Sequence, residues 1–173
     1  MNVGFFHGLE SPKYSEKNEF LEKKFDYVYA PPMDYAHPTI FQDIVDHLKK
    51  NKVDVLIGSS MGGWFSYALS SVTGIPTLLF NPATQKRSVD PKIYLGKKSS
   101  FNRVIFGLKD DIVDFNETKK WFNINGIGKF DFIEEKDMGH RIPLEIFEKH
   151  VNEIIRLKTK IKTYREWDSI KEF

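Results

Sequence analysis

No cysteine occurs anywhere in the 173 residues. Disulfides, thiolate metal sites and cysteine nucleophiles are therefore excluded, and a reducing compartment is compatible with the chain. Also missing is any apolar run approaching the ~20 residues that a membrane-spanning helix requires. The opening stretch, MNVGFFHGLESPK, has no basic segment followed by a long apolar one, as a secretory signal would. The expectation is a cytoplasmic protein without a membrane span. A dominant charge is lacking too: 26 Lys and Arg face 24 Asp and Glu, for a formal net charge of +2. That excess is too small to imply nucleic acid or another polyanion as partner. The basic residues Lys158, Lys160, Lys162 and Arg165 cluster behind the last predicted helix and read as its solvated end.

What is present describes an ordinary soluble domain. Apolar residues at 40% and charged residues at 29% lie close to the usual ~45–50% and ~25%, so disorder is not indicated. The length fits one hydrophobic core of ~100–200 residues. Residues 1–157 are read as a single domain, and 158–173 as a polar C-terminal extension, helical or partly disordered.

Short β-branched or aromatic runs recur at 3–6, 27–30, 53–57, 77–80, 104–106 and 130–133, each bounded by glycine, proline or polar residues. Most are continuously apolar rather than alternating, as expected for strands of a parallel sheet covered on both faces. Between them lie segments with helical spacing at 15–24, 40–50, 64–72, 116–123 and 143–157. In the second, Phe41, Ile44, Val45 and Leu48 build one apolar stripe; in the last, Leu144, Phe147, Val151 and Ile154 do the same, with Pro143 placed for a first turn. Strand then helix, repeated, predicts a single α/β domain: a six-stranded, mostly parallel sheet with helices on both faces.

One motif carries chemistry. Gly58-Ser59-Ser60-Met61-Gly62 has the G-x-S-x-G form, follows an apolar run and precedes the helix-like Gly63–Leu69. Such a turn holds the serine Oγ clear of the sheet in a strained backbone conformation, and glycines on either side remove side chains that would collide. Only Ser60 is framed this way; Ser59 would need glycine where Ile57 and Met61 stand. The competing reading is a glycine-rich turn without catalysis.

A serine hydroxyl needs an adjacent base. His47 and His150 fall within predicted helices and His37 within a proline-rich loop. His140, in Asp137-Met138-Gly139-His140, lies between the last strand and the last helix, on the edge where parallel-sheet sites assemble. The carboxylate that orients it should follow the strand at 104–106, where Asp110, Asp111 and Asp114 are available. Asp110 is preferred as the first after the strand. The order Ser60, Asp110, His140 is that of the α/β hydrolases. The oxyanion needs two backbone donors: Met61, after the nucleophile, and Leu9 in the loop after the first strand, with His7 shaping that loop.

The motifs HGLESPK at 7–13, GSSMGGW at 58–64, NPA at 81–83, YLG at 94–96, DDIVDF at 110–115 and MGH at 138–140 together resemble the YqiA-like small esterases of the α/β-hydrolase superfamily. The resemblance runs from residue 3 to about residue 155. It implies a six-stranded parallel sheet, hydrolysis of short carboxylic esters or acyl thioesters, and Asp110 rather than Asp111 as the acid. The stretch between Phe80 and Val104 is too short for a lid domain with its own core. The chain is thus expected to be a serine hydrolase of small esters, with no metal and no organic cofactor, acting as a monomer or homodimer. A thioesterase on the same residues, or a non-catalytic binding protein of the same fold, are the alternatives.

Overall fold

The computed structural model describes residues 1–85 and 87–156. The six apolar runs form strands β1 (Asn2–Phe6), β2 (Tyr27–Tyr29), β3 (Val55–Ser59), β4 (Thr77–Phe80), β5 (Phe101–Gly107) and β6 (Lys129–Glu135). They lie in one sheet of order β2-β1-β3-β4-β5-β6, and all five pairings are parallel. Parallel neighbours require crossovers, and helices supply four of them: α1 (Glu16–Lys24), α2 (Ile40–Lys50), α3 (Met61–Thr73) and α4 (Phe115–Asn125), while a fifth helix, α5 (144–156), follows β6. This is the α/β-hydrolase fold. Leu157 and the predicted extension at 158–173, with its basic cluster, lie outside the described residues.

Strand alternation divides the core in two. Phe6, Leu56, Leu79, Val104 and Phe106 point to one face and pack with α2, α3 and Phe122 of α4. Phe5, Val55, Ile57, Leu78, Phe80 and Ile105 point to the other and pack with Leu21 of α1 and with Phe147, Val151 and Ile154 of α5. The continuous apolar lettering of the strands follows from this double burial. Phe147 has no exposed surface and meets the rings of Phe5, Phe20 and Phe80. Each such aromatic contributes about 1.5–3 kcal/mol by leaving water.

Element ends differ from the sequence pattern for local reasons. β3 begins at Val55 rather than 53, because Val53 N–H turns back onto Asn51 O (2.9 Å). β5 begins at Phe101 rather than 104. Its polar letters are accommodated by tertiary partners: buried Asn102 accepts from Thr77 Oγ1 (2.9 Å), and Arg103 reaches Asp131 and Glu153. α3 begins at Met61, three residues before the predicted start, immediately after Ser60.

Candidate active site

The segments that carry the candidate site residues leave the carboxyl ends of parallel strands of one sheet: His7–Leu9 after β1, Ser60 after β3, Asp110 after β5 and His140 after β6. Open α/β sheets collect their sites on this edge.

Ser60 alone separates β3 from α3, with φ +52° and ψ −119°. A non-glycine residue there stores on the order of 1–3 kcal/mol, which persists only when the surroundings over-determine it. Here Ser60 N–H donates to Phe80 O (2.9 Å), while Ser60 O accepts from Trp64 N–H (3.1 Å) and Ala83 N–H (3.0 Å). The flanking glycines are sterically required. A Cβ on Gly58 would lie 2.2 Å from Gly62 O, and one on Gly62 would lie 2.0 Å from Phe6 O.

Asp110 and His140 meet directly. His140 Nδ1–H donates to Asp110 Oδ2 (2.9 Å) and Oδ1 (3.1 Å). The Asp110 side chain is 1% exposed and that of His140 25%. Burial raises the Asp110 carboxyl, but hydrogen bonds from His140 and from the Val113 and Ile112 N–H groups outweigh it and hold it below the ordinary carboxylate value. An ionised acceptor keeps the imidazole proton on Nδ1, leaving Nε2 as a lone-pair acceptor. Asp114 is occupied otherwise, capping α4 through Glu117 N–H (2.9 Å), and Asp111 is exposed. No hydrogen bond joins the Ser60 hydroxyl to His140 among the described residues. Catalytic contacts of this kind often tighten only around substrate.

The other histidines have structural settings. His47 stacks on Tyr29 with ring centroids 3.7 Å apart, buried His150 bonds Glu135 Oε1 (2.7 Å), and His37 is exposed. His7 Nδ1–H donates to Gly8 O (2.7 Å) and its carbonyl accepts from the Tyr35 hydroxyl, so this residue holds its loop. The loop passes against Ser60: a Cβ on Gly8 would stand 3.4 Å from Ser60 Cβ. Leu9 follows, within a turn closed by Ser11 N–H on Gly8 O (3.1 Å). Met61 is the first residue of α3, so its N–H has no intrahelical partner and sits at the positive end of the helix dipole.

Asn81 was not among the residues singled out individually. It is 1% exposed, has φ +43°, and its backbone N–H donates to Ile105 O (2.9 Å). Its side-chain Oδ1 accepts from Gly107 N–H (2.8 Å), and its Nδ2 donates to Gly139 O (3.0 Å). The available signal was an asparagine directly after a strand, since asparagine is enriched at left-handed φ.

Two cavities bear on the placement of the site. The larger, about 510 Å³, involves Lys52, Gly74 and Lys98 and opens at the amino edge of the sheet, away from Ser60. The smaller, about 240 Å³, borders Asp110 and is lined by Gln85, Asp111, Ile112, Glu117 and Thr118. Among the described residues, no three His, Asp or Glu side chains converge as metal ligands, and no helix is long and apolar enough to cross a membrane.

A family model described as an uncharacterised protein family, UPF0227, matches residues 5–170. No curated protein matches the sequence. Among solved structures, the chain is similar to the monoacylglycerol lipase of Paleococcus ferrophilus (TM-score 0.66, 16% identity, covering 91% of this chain and 94% of that one). It is also similar to mouse alpha/beta hydrolase domain-containing protein 10 (0.65, 15%, 90% and 89%) and to Est1E from Butyrivibrio proteoclasticus (0.63, 14%, 92% and 88%). At these identities the likeness is one of fold.

Proposed function

The chain belongs to the uncharacterised protein family UPF0227, and on that footing we propose that it is a serine hydrolase cleaving small carboxylic esters in the cytoplasm through an acyl-enzyme intermediate. The observation that carries this reading is the buried Asp110 carboxylate bonded to His140 Nδ1 on the edge where Ser60 occupies its left-handed turn.

Ser60 Oγ attacks the ester carbonyl carbon while His140 Nε2 takes the hydroxyl proton, and Asp110 stabilises the imidazolium that results. The carbonyl π electrons move onto oxygen, and the oxyanion is met by the Met61 and Leu9 N–H groups. Collapse expels the alcohol oxygen, which receives the proton from His140 and leaves Ser60 acylated. Water then repeats the sequence, giving up a proton to His140 as it attacks, and the carboxylic acid departs with the Ser60 hydroxyl restored.

Small, soluble substrates are favoured by the connection from β4 to β5. Its described residues contain neither helix nor strand, so no lid with its own core covers the edge. The test is a fluorophosphonate probe with peptide mapping, run beside nitrophenyl ester, acyl-CoA and amide substrates. An adduct on Ser60, ester turnover and loss of both in Ser60→Ala are expected. A folded wild type that takes no label on Ser60 refutes the reading, and faster acyl-CoA cleavage reassigns it to a thioesterase.

A further inference from the structure

Three chain segments have to be held to within roughly 0.5 Å of one another for the proposed chemistry: the Ser60 turn, the loop carrying Asp110 and the loop carrying His140. We propose that Asn81 is a positioning residue that locks the Asp110 and His140 loops onto the strand beside the nucleophile. This rests on the serine-hydrolase reading above.

The connections run outward from Ser60. Its N–H is bonded to Phe80 O and its carbonyl to Ala83 N–H, so the 80–83 segment grips the nucleophile turn from both sides of Asn81. Asn81 is itself anchored to β5 through Ile105 O. From there the side-chain amide reaches both partner loops. Its Oδ1 takes the N–H of Gly107, whose carbonyl in turn accepts Asp110 N–H (3.2 Å). Its Nδ2 donates to the carbonyl of Gly139, the residue before His140. These two loops also touch each other: Lys109 N–H donates to Met138 O (3.0 Å), and a Cβ on Gly107 would stand 2.4 Å from Met138 O. One buried head group thus sets the height of the acid and the base together relative to Ser60.

The residue type follows from the two partners. Gly107 presents a donor and Gly139 an acceptor, and a primary amide carries both functions on one head. A carboxylate serves only Gly107 and faces the Gly139 carbonyl with a like partial charge. An apolar side chain leaves the buried Gly107 N–H and the half-buried Gly139 carbonyl without this partner. The backbone at φ +43° is disfavoured for most residues, yet it is retained at a buried position where asparagine is tolerated.

Asn102 provides a matched control. It is another fully buried asparagine of this sheet, bonded to Thr77 Oγ1 and Ser100 O at the amino end of β5, away from the proposed chemistry. Asn81→Gly keeps the left-handed backbone and removes both amide bonds; Asn81→Asp keeps the shape and the Gly107 bond. Nitrophenyl ester kinetics, fluorophosphonate labelling rates and thermal melts are compared for wild type, Ser60→Ala, both Asn81 variants and Asn102→Ala, at a temperature where each is folded.

Both Asn81 variants are expected to lose ~10–100-fold in kcat with KM held within about twofold, and to label Ser60 more slowly by a similar factor. Asn102→Ala is expected to melt earlier without losing kcat. Should Asn81→Gly not fold, Asn81→Asp supplies the measurement. A folded Asn81 variant with wild-type kcat, a loss confined to KM, or an equal kcat loss in Asn102→Ala overturns the proposal while leaving Ser60 as nucleophile. A wild type without turnover or label overturns both.

Discussion

Replacing Gly62 with alanine adds one methyl group at the most crowded of the glycine positions. Its Cβ would fall 2.0 Å from Phe6 O, 2.5 Å from Phe6 C and 2.6 Å from His7 O. All three are backbone atoms, so no rotamer change relieves them. The end of β1 or the start of α3 has to move by about 1 Å, and overpacking of this kind costs ~1–3 kcal/mol, here near the upper end because backbone must yield. For a domain of this size, about 3 kcal/mol lowers Tm by roughly 6–12 °C. The same movement carries the His7–Leu9 loop away from Ser60, and a ~1 Å misplacement lowers turnover by about 10²-fold. Gly63→Ala is the internal control. Its nearest foreign atoms are Pro82 Cα and Cβ at 3.1 Å, a contact relieved by a few tenths of an ångström. Thermal melts and ester kinetics on the two neighbouring variants decide the matter. A Gly62→Ala protein with wild-type Tm and kcat, or a Gly63→Ala protein equally damaged, refutes the steric reasoning.

Asp110→Asn keeps the shape of the acid but cannot hold the imidazole proton on Nδ1, and kcat for ester hydrolysis is expected to fall by about 10⁴-fold; a fall below tenfold would assign the orienting role elsewhere. Glu135 gives a stability prediction. Burial raises its carboxyl, but hydrogen bonds from Lys149 (2.6 Å) and His150 (2.7 Å) outweigh it and leave it below its ordinary 4.5. A depressed acid stabilises the fold above its unfolded value and ceases to do so as pH falls through its folded one. Urea midpoints should therefore separate wild type from Glu135→Gln at about pH 5.5 and draw together as pH falls below the ordinary carboxylate range, whereas a pH-independent gap contradicts the ion-pair account. Phe147→Ala removes the ring that joins β1, β4 and α1 on one face of the sheet, and equilibrium unfolding should register a loss of about 3–5 kcal/mol. A loss under about 1 kcal/mol would mean that the site collapses around the gap.

The strands and the Ser60 turn were legible because their causes are local. Phe5 and Phe6 face opposite cores, as do Leu56 and Ile57, so successive positions of a doubly covered strand favour apolar residues and the run stands out in the letters. The G-x-S-x-G motif is legible for a related reason: the Gly58 clash is local, against Gly62 and Ser66, four and eight positions on. Placing His140 and the aspartates at 110–114 after their strands needed only the order of elements, because a parallel sheet returns each successive carboxyl end to the same edge.

Other features depended on partners far along the chain. Asn102 and Arg103 look like loop residues until Thr77, Asp131 and Glu153 supply their bonds, which is why β5 is longer than its apolar letters. Among three neighbouring aspartates, Asp110 is distinguished by contact with His140, while Asp114 turns to the end of its own helix. Asn81 makes its bonds to Gly107 and Gly139, 26 and 58 positions away. Hydrophobic periodicity and steric exclusion act over a few residues and are written into short stretches of sequence. Hydrogen-bond satisfaction of a buried polar group is settled only when distant segments arrive, so the architecture and the edge that carries Ser60, Asp110 and His140 could be read from the chain, whereas the contact of Asp110 with His140 and the amide that spans their loops belong to the folded molecule.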